Sequence, residues 1–323
     1  MDQKKAAGTT DLQDPLVVMP VDKRDYDLNT FFPLFSSYIY HLVNDVESLV
    51  YSTKAVVADF ANDGVVYLEL RTTPRAMTAA GLDKAGYVQV VLDAMGAAER
   101  EHPSIRAKLI LSMDRRNTPQ EARDVVLLAR KFCSQGVVGI DLCGDPAKGD
   151  VALFTPAVRE AKSDNGGGGF LGVTVHFAEA ECSASDAELQ TIMDWDPDRL
   201  GHVIHVPEHI KRRITAPRPG AGSSDFATTR GLELCLSCNV HAKMIVGSFE
   251  AHHFGEWWRA EGVTVVPCTD DVGVFGSPAS NEWRLIQQHF RLTRTEILEL
   301  ARKGIDVIFG GYEEKQRLRN VMW

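Results

Sequence analysis

Short apolar stretches rich in β-branched residues alternate along the chain with longer stretches of helical period. Seven of the short stretches are typical of strands: residues 64–70, 105–114, 136–145, 172–177, 199–206, 232–240 and 263–271. Apolar side chains recur about every 3.6 residues, as in amphipathic helices, within residues 45–62, 84–101, 119–134 and 154–162. This alternation predicts parallel strands joined by right-handed crossovers.

Side chains capable of chemistry follow the carboxyl ends of the predicted strands. Among them are Glu69, Arg71, Asp114, Arg115, Asp141, Asp145, His176, Glu179, His202, His205, Asn239, His241, Asp270 and Asp271. This polarity is typical of a (β/α)8 TIM-type barrel, an α/β fold whose active site lies at the carboxyl ends of its strands. A doubly wound open sheet also binds ligands there and is the alternative fold, although the chain contains no GxGxxG or Walker-type phosphate loop.

The composition is that of a globular protein without features of a nucleic-acid or membrane protein. Of the 323 residues, 44% are hydrophobic and 24% are charged, which suffices for a substantial core in one large domain or two smaller ones. A net charge of −9 argues against nucleic-acid binding, which requires clustered Lys and Arg. No stretch of about 20 apolar residues could span a membrane, and residues 1–14 lack the apolar core of a signal peptide. We therefore expect a cytoplasmic protein with reduced cysteines.

Two short motifs resemble metal sites but have simpler explanations. Cys235 and Cys238 form a CxxC motif in a stretch that alternates like a strand, where their side chains would point to opposite faces and could not share a metal. Residues 205–209, His-Val-Pro-Glu-His, fit the HxxEH pattern of inverzincin peptidases. That chemistry needs both histidines on one helical face, and Pro207 is poorly tolerated inside a helix. We expect a strand end followed by a loop or a helix start.

A third group of residues has the composition of a hydrolytic metal site. Such a site needs imidazoles and a carboxylate to hold Zn²⁺, an open position for water, and a separate acid or base. His176 and the adjacent Asp270 and Asp271 supply parts of this set, and Glu179 could act as a proton donor above the substrate. Taken singly, a satisfied core histidine is the commoner explanation for His176, and a helix N-cap or loop turn is the commoner explanation for Asp270 and Asp271.

Several separated motifs resemble the adenosine deaminase family. The segments TVHFAEAE, RLGH and PCTDDVGVF are similar to segments of that family, and GVVYLELRTTPR, GIDLCGDP, LELCLSCNV and HHFGEWW are similar to its adenosine-deaminase-like branch, which acts on N6-methyl-AMP. The resemblance begins at Asp27, which predicts a barrel domain over residues 27–323 after an irregular segment of residues 1–26. It implies a zinc-dependent hydrolytic deaminase of purine salvage, with N6-methyl-AMP converted to IMP and methylamine.

The resemblance also implies a role for each matching residue in the reaction. His176 and Asp270 would be ligands of one Zn²⁺ ion per chain. Glu179 would protonate the purine ring nitrogen while an activated water attacks the adjacent 6-position carbon. His202 and Asp271 would position and deprotonate that water, and Asp271 would also contact the substrate.

The implied substrate is a small purine nucleoside or nucleoside monophosphate, bound by a monomer. Gly144 would bring its backbone close to the purine, which suits a residue without a side chain. Phe32 and Phe35 would wall the pocket, although phenylalanines at helical spacing are more often core residues. Arg71 or Arg75 could contact a phosphate at the barrel mouth, and a surface ion pair is the alternative for either arginine.

The chain departs from the family pattern at its start. The family takes two further zinc ligands from an H-x-H pair on its first strand, but no two of the ten histidines here are separated by one residue. With seven predicted strands, a barrel of eight would lack its first strand, and a truncated start is the expected explanation; residues 16–21 could form a strand, but without metal ligands. Zinc affinity should then be greatly reduced. The alternative function is a catalytically impaired or inactive deaminase-like protein.

Overall fold

The chain folds around one parallel sheet whose strands follow each other in space in the order of the sequence. The computed structural model describes residues 2–6, 8, 10–20, 23, 25–163, 171–218 and 229–322. The strands are β1 Tyr67–Thr72, β2 Arg106–Asp114, β3 Val137–Cys143, β4 Gly172–Phe177, β5 Arg199–His202, β6 Arg230–Leu234 and β7 Val263–Pro267. A doubly wound sheet would reverse its strand order at a switch point, so the sequential order confirms the barrel prediction and removes the alternative fold.

Helices connect the strands and cover the outer face of the sheet. The α-helices are α1 Asp2–Ala6, α2 Pro15–Val18, α3 Leu28–Leu34, α4 Tyr40–Leu42, α5 Val46–Asn62, α6 Lys84–Glu101, α7 Pro119–Phe132, α8 Thr155–Lys162, α9 Asp186–Asp194, α10 Glu208–Thr215, α11 Leu236–His241, α12 Phe254–Trp257, α13 Val272–Phe275, α14 Ala279–Phe290, α15 Arg294–Gly304 and α16 Gly311–Met322. A π-helix, Phe35–Ile39, lies between α3 and α4. Short 3-10 turns are Thr78–Ala80, Cys133–Gln135, Val151–Phe154, Glu181–Ser183, Phe249–Ala251 and Ile305–Val307.

Side chains from strands far apart in the sheet meet in its interior, which means that the sheet is curled. Arg71 on β1 forms an ion pair with Glu233 on β6, and Arg199 on β5 forms one with Glu69 on β1. A flat sheet would separate β1 from β6 by roughly 24 Å, since neighbouring strands lie about 4.8 Å apart. In the described residues β1 and β7 do not pair with each other, so the sheet is a half-barrel that is open on this side.

Three of the four predicted helices, α5, α6 and α7, begin where a side chain caps them. The Asp83 side chain accepts a hydrogen bond from the Gly86 N–H at the start of α6, whose bounds match the prediction. Thr118 and Glu121 form a reciprocal capping box at the start of α7. Helix α7 ends at Phe132, slightly before its predicted end, and continues as a 3-10 turn.

Three predicted strands end well before the sequence pattern indicated, and the one predicted over residues 263–271 ends at Pro267. The strand predicted over residues 232–240 ends at Leu234, and most of its second half is the helix α11. Short apolar runs fit a strand and a buried helical turn equally well, and here burial at the end of the barrel favours the helix. The strand predicted over residues 199–206 ends at His202, because His202 and Val203 have left-handed backbone angles (φ 62° and 59°) that no strand continues through.

Residues 16–20 are not a strand, so the prediction that residues 16–21 could form one was wrong. Helix α2 begins there because Asp14 accepts a hydrogen bond from the Leu16 N–H at 2.8 Å and Pro15 occupies the first helical position. Proline is common at that position, because an N–H group there would have no partner within the helix.

Two apolar clusters hold the fold together. The larger one fills the space between the sheet and its helices. The smaller one joins the N-terminal segment to the carboxyl end of the barrel, where Tyr26 and Phe31 pack against Phe275 with ring centroids 5.9 Å and 5.4 Å apart. Within the described part of the chain, no helix has the length and apolar character that crossing a bilayer requires.

Candidate active site

A cavity of about 770 Å³ opens at the carboxyl ends of the strands. The predicted site residues in its wall are Phe32, Phe35, Gly144, His176, Glu179, Asp270 and Asp271. His202 lies behind this wall and is only 2% exposed; its Nε2 is 3.8 Å from Glu179 Oε1 and 3.8 Å from Asp270 Oδ2. These residues converge because parallel strands of a barrel all end on the same side.

His176, at the end of β4, has its ring orientation fixed by two acceptors. Its Nδ1 lies 3.1 Å from Asp141 Oδ1 and 3.1 Å from the Leu142 carbonyl oxygen. Both partners only accept, so Nδ1 carries a proton and donates it. Burial works to lower the pKa of His176, but the charge of Asp141 and the hydrogen bond to it outweigh this effect and raise the pKa to about 9.

This arrangement leaves Nε2 of His176 for another partner. In the described residues no hydrogen bond engages this nitrogen. Histidines that bind metals typically donate their other ring N–H to a carboxylate or a backbone carbonyl. Because Asp141 and Leu142 supply both kinds of acceptor, His176 has the surroundings of a metal ligand, and a metal would take the place of the second proton.

Three carboxylates share the space next to His176. Burial raises the pKa of Asp271, and the negative charges of Asp270 and Glu179 raise it further. Asp270 itself has a left-handed backbone (φ 54°) and accepts a hydrogen bond from the Cys238 thiol. A cation would offset the repulsion among these acids. The side chains of His176 and Asp270 are therefore suited to a divalent metal. The Nδ1 of His176 is already engaged as a donor, and a positive charge would stabilise the neighbouring carboxylates.

A second group of possible ligands overlaps this site. Ligand atoms of His202, Cys235 and Asp270 lie within 4.8 Å of one another. Cys235 caps the start of α11, so the prediction that Cys235 and Cys238 both lie on a strand was wrong. Burial raises the pKa of Cys235, and the charge of Asp270 raises it further, so this thiol holds its proton strongly.

Gly144 lies where the cavity wall passes close to Asp114. Its φ is +99°, and a Cβ added there would lie 3.0 Å from the Asp114 carboxyl carbon. Arg116 holds this carboxylate through two bonds of 2.7 Å and 2.6 Å, so it has little freedom to move away. Both the backbone angle and the space therefore require glycine.

Phe32, in α3, and Phe35, the first residue of the π-helix, also line the cavity. Phe31, which is buried, supports both rings from behind, with centroid distances of 5.1 Å and 5.4 Å. Phe31 in turn packs against Phe275. The half-buried rings of Phe32 and Phe35 thus form an aromatic part of the cavity wall that rests on the buried Phe31.

The arginines that were considered for a phosphate have different surroundings. Arg71 forms ion pairs with Glu233 and, at 3.6 Å, with Asp141. These carboxylates occupy its guanidinium, which argues against a role in binding phosphate. Arg75 also lies in the cavity wall, where its guanidinium stacks 4.6 Å from the ring centre of Tyr40.

The HxxEH segment has the structure that Pro207 predicts. His205 precedes helix α10, Pro207 is the N-cap residue of this helix, and His209 lies in its first turn. His209 Nε2 is 2.5 Å from Asp186 Oδ1 at the surface. The two histidines do not share a helical face.

Sequence reasoning missed three residues that surround the site. Asp141 and Asn239 were recognised as polar residues after strands but received no role, and His252 was recognised only as part of the HHFGEWW motif. Asp141 orients His176, and Asn239 and His252 lie behind His202. Hydrogen bonds between segments so distant in sequence leave no local pattern that could have revealed them.

Comparisons with known proteins give a consistent result. A family model described as adenosine deaminase matches residues 7–322. The chain is 32% identical over 320 residues to N6-mAMP deaminase of Arabidopsis thaliana, covering 93% of this chain and 84% of that protein. It is 33% identical over 317 residues to N6-methyl-AMP deaminase of Homo sapiens, covering 95% and 83%. A crystal structure of Arabidopsis ADAL complexed with IMP superposes with a TM-score of 0.85 at 32% identity, covering 99% of this chain and 89% of that one.

Proposed function

Since the chain belongs to the adenosine deaminase family, we propose that it is a zinc-dependent hydrolytic deaminase that converts N6-methyl-AMP and water to IMP and methylamine. The observation that carries the proposal is the convergence of His176, Glu179, Asp270 and Asp271 on one cavity. Relatives named for N6-methyl-AMP, and one bound to IMP, support a nucleoside monophosphate as the substrate.

Within this proposal His176 and Asp270 hold the metal. The Nε2 lone pair of His176 and the carboxylate of Asp270 are the donors. When bound, zinc supplies Lewis acidity that lowers the pKa of water and so provides a nucleophile near neutral pH.

The chain's own residues handle the protons. Asp271, whose pKa burial raises, can accept a proton from water and hold it near neutral pH. Glu179, which is 5% exposed, donates a proton to the purine ring nitrogen. Protonation of the ring makes the 6-position carbon easier for the water oxygen to attack. Asp271 then passes the proton that it took from water to the amine nitrogen, the carbon–nitrogen bond breaks to release methylamine, and the remaining hydroxyl proton returns to Glu179 to leave IMP.

The remaining wall orients the purine. Phe32 and Phe35 offer aromatic faces on which a base can stack. Gly144 allows the ring to approach the backbone, because no side chain stands between them. We also propose that residues 27–323 form the domain and that the protein acts as a monomer.

The test measures metal content and turnover in the same preparation. The purified chain is incubated with excess zinc and dialysed, its zinc content is determined, and methylamine release from N6-methyl-AMP is compared with ammonia release from adenosine. We expect methylamine release to exceed ammonia release, and Glu179→Gln to lower kcat by about 10²–10⁴-fold, as loss of a general acid does. Zinc binding should survive this change, because Glu179 is not a ligand.

The sequence also supports the alternative that the chain is inactive and only binds a nucleotide. Catalytic zinc sites usually have three protein ligands, and this chain contains no H-x-H pair to add to His176 and Asp270. Binding of IMP without zinc uptake or turnover would assign the chain to an inactive, nucleotide-binding class. Turnover that Glu179→Gln leaves unchanged would contradict the proposed mechanism.

A further inference from the structure

A chain of three hydrogen bonds leads from the backbone of α12 to His202. The Phe254 N–H lies 3.0 Å from His252 Nδ1, His252 Nε2 lies 3.1 Å from Asn239 Oδ1, and Asn239 Nδ2 lies 3.0 Å from His202 Nδ1. Asn239 is completely buried, and both histidines are 2% exposed. Water therefore does not compete for these bonds.

The backbone N–H at one end fixes the direction of every bond in this chain. A backbone amide can only donate, so His252 Nδ1 must accept. Burial lowers the pKa of His252 to about 2, so the ring is neutral and its one proton is on Nε2. His252 then donates to Asn239 Oδ1, which leaves the amide NH₂ group of Asn239 facing His202.

We propose that His252 and Asn239 are positioning residues that keep the proton of His202 on Nε2. Because Asn239 donates to His202 Nδ1, that nitrogen needs its lone pair. The proton on Nε2 points toward Glu179 Oε1 and Asp270 Oδ2, each 3.8 Å away.

The backbone of His202, like its ring, is held by a hydrogen bond. His253 Nε2 lies 2.5 Å from the His202 carbonyl oxygen, which can only accept, so His253 donates to it. The rings of His252 and His253 stack with centroids 4.1 Å apart. Together these contacts fix both the left-handed backbone of His202 and the side that its ring presents to the site.

Two consequences follow, and the second rests on the proposed function. His202 Nε2 has no lone pair for a metal, so the group of His202, Cys235 and Asp270 is not a metal site. In the reaction, His202 donates a hydrogen bond to the attacking oxygen, and Asp271 alone accepts the proton. With a metal in place of the second proton of His176, the rings of His176 and His202, which are 5.2 Å apart, would carry their protons on opposite nitrogens and have different roles.

The experiment replaces Asn239 by an isosteric acceptor. In Asn239→Asp the carboxylate accepts from both imidazoles, so His202 must carry a proton on Nδ1. Ring ¹⁵N chemical shifts of His202 distinguish the two states in metal-free, ¹⁵N-histidine-labelled protein, and His202→Gln assigns the signals. We expect an Nε2–H ring in the native protein and a ring protonated at Nδ1 in Asn239→Asp. The control Asn62→Asp makes the same change at an exposed position and should not alter the ring ¹⁵N shifts of His202.

Turnover supplies a second readout. Presenting the wrong tautomer costs about 10⁴-fold in kcat in the Ser-His-Asp triad, and we expect a loss in kcat of up to that order in Asn239→Asp with KM changed much less. An Nδ1–H ring in the native protein, or native His202 shifts in folded Asn239→Asp, would overturn the proposal.

Variants of His252 keep the proposal testable if Asn239→Asp does not fold. His252→Gln retains an N–H that can donate to Asn239 and should keep the native His202 shifts, whereas His252→Phe should lose them. Native shifts in both variants would overturn the proposal. Absence of turnover in the native protein would contradict the proposed function but would leave the ring measurement intact.

Discussion

Gly144 has a backbone conformation that only glycine adopts without strain, and it lies against a carboxylate that Arg116 holds in place. We expect Gly144→Ala to lower the free energy of unfolding by more than the 1–2 kcal/mol or so that a left-handed backbone costs a residue with a Cβ. It should also weaken IMP binding on the order of tenfold, about 1.4 kcal/mol, because the wall at the purine shifts. Urea unfolding and calorimetric titration with IMP measure the two effects.

Gly64 is the matched control for this change. Its φ is +87°, but an added Cβ would have no heavy atom within 4 Å. Gly64→Ala should therefore show the backbone cost and unchanged IMP binding. If the two substitutions changed stability and IMP binding equally, the close contact with Asp114 would contribute to neither effect.

At this scale the sequence predicts which residues meet but not how they are oriented. His176, Glu179, Asp270 and Asp271 follow predicted strands, and a barrel brings all such positions together. The tautomer of His202 depends on a hydrogen bond that begins at the Phe254 backbone. Only the folded chain places that amide behind the site.

Among the elements, the strands of the half-barrel are joined by charged side chains in its interior. Arg71 on β1 pairs with Glu233 on β6, and Glu233 also accepts a hydrogen bond from Thr174 on β4 at 2.9 Å. Burial works to raise the pKa of Glu233, but the charges of Arg71 and Arg199 lower it to about 2. The pair of Arg71 and Glu233 connects two strands that have no backbone hydrogen bonds with each other.

Removing one partner should therefore be costly. We expect Arg71→Leu to lower the free energy of unfolding by about 3–5 kcal/mol, because it leaves the charges of Glu233 and Asp141 buried with less compensation. Arg319→Leu breaks the surface pair with Asp306 and should cost less than about 1 kcal/mol. Urea denaturation of both variants provides the comparison. A loss below 1 kcal/mol or so in Arg71→Leu would show that water replaces the pair.

The elements themselves were predictable to the extent that local signals mark their ends. Helix α6 matches its prediction because Asp83 caps it and the apolar period continues to Glu101. The strand predicted over residues 232–240 failed because a buried helical turn, like a strand, can be apolar throughout. Whether these residues form a strand or a helix depends on their burial in the folded protein, which the sequence alone does not reveal.

The whole molecule is a curled sheet whose described strands leave one side open, between β1 and β7. Alternation and the polarity of the strand ends predicted this fold, and the number of apolar runs predicted seven strands. His176 is the last residue but one of β4 and Asp270 follows β7, so a metal held by both would connect the middle of the sheet to its edge. Metal binding by these two residues would thus depend on the curl of the whole half-barrel.

The most direct test is a crystal structure of the protein with excess zinc and IMP, with anomalous scattering recorded at the zinc edge. We predict one peak in the cavity, about 2.0–2.2 Å from His176 Nε2 and from the Asp270 carboxylate, with His202 Nε2 outside coordination distance. A peak bound by His202 and Cys235 would contradict both the proposed metal ligands and the assigned tautomer of His202, and the absence of a peak beside His176 would contradict the proposed ligands.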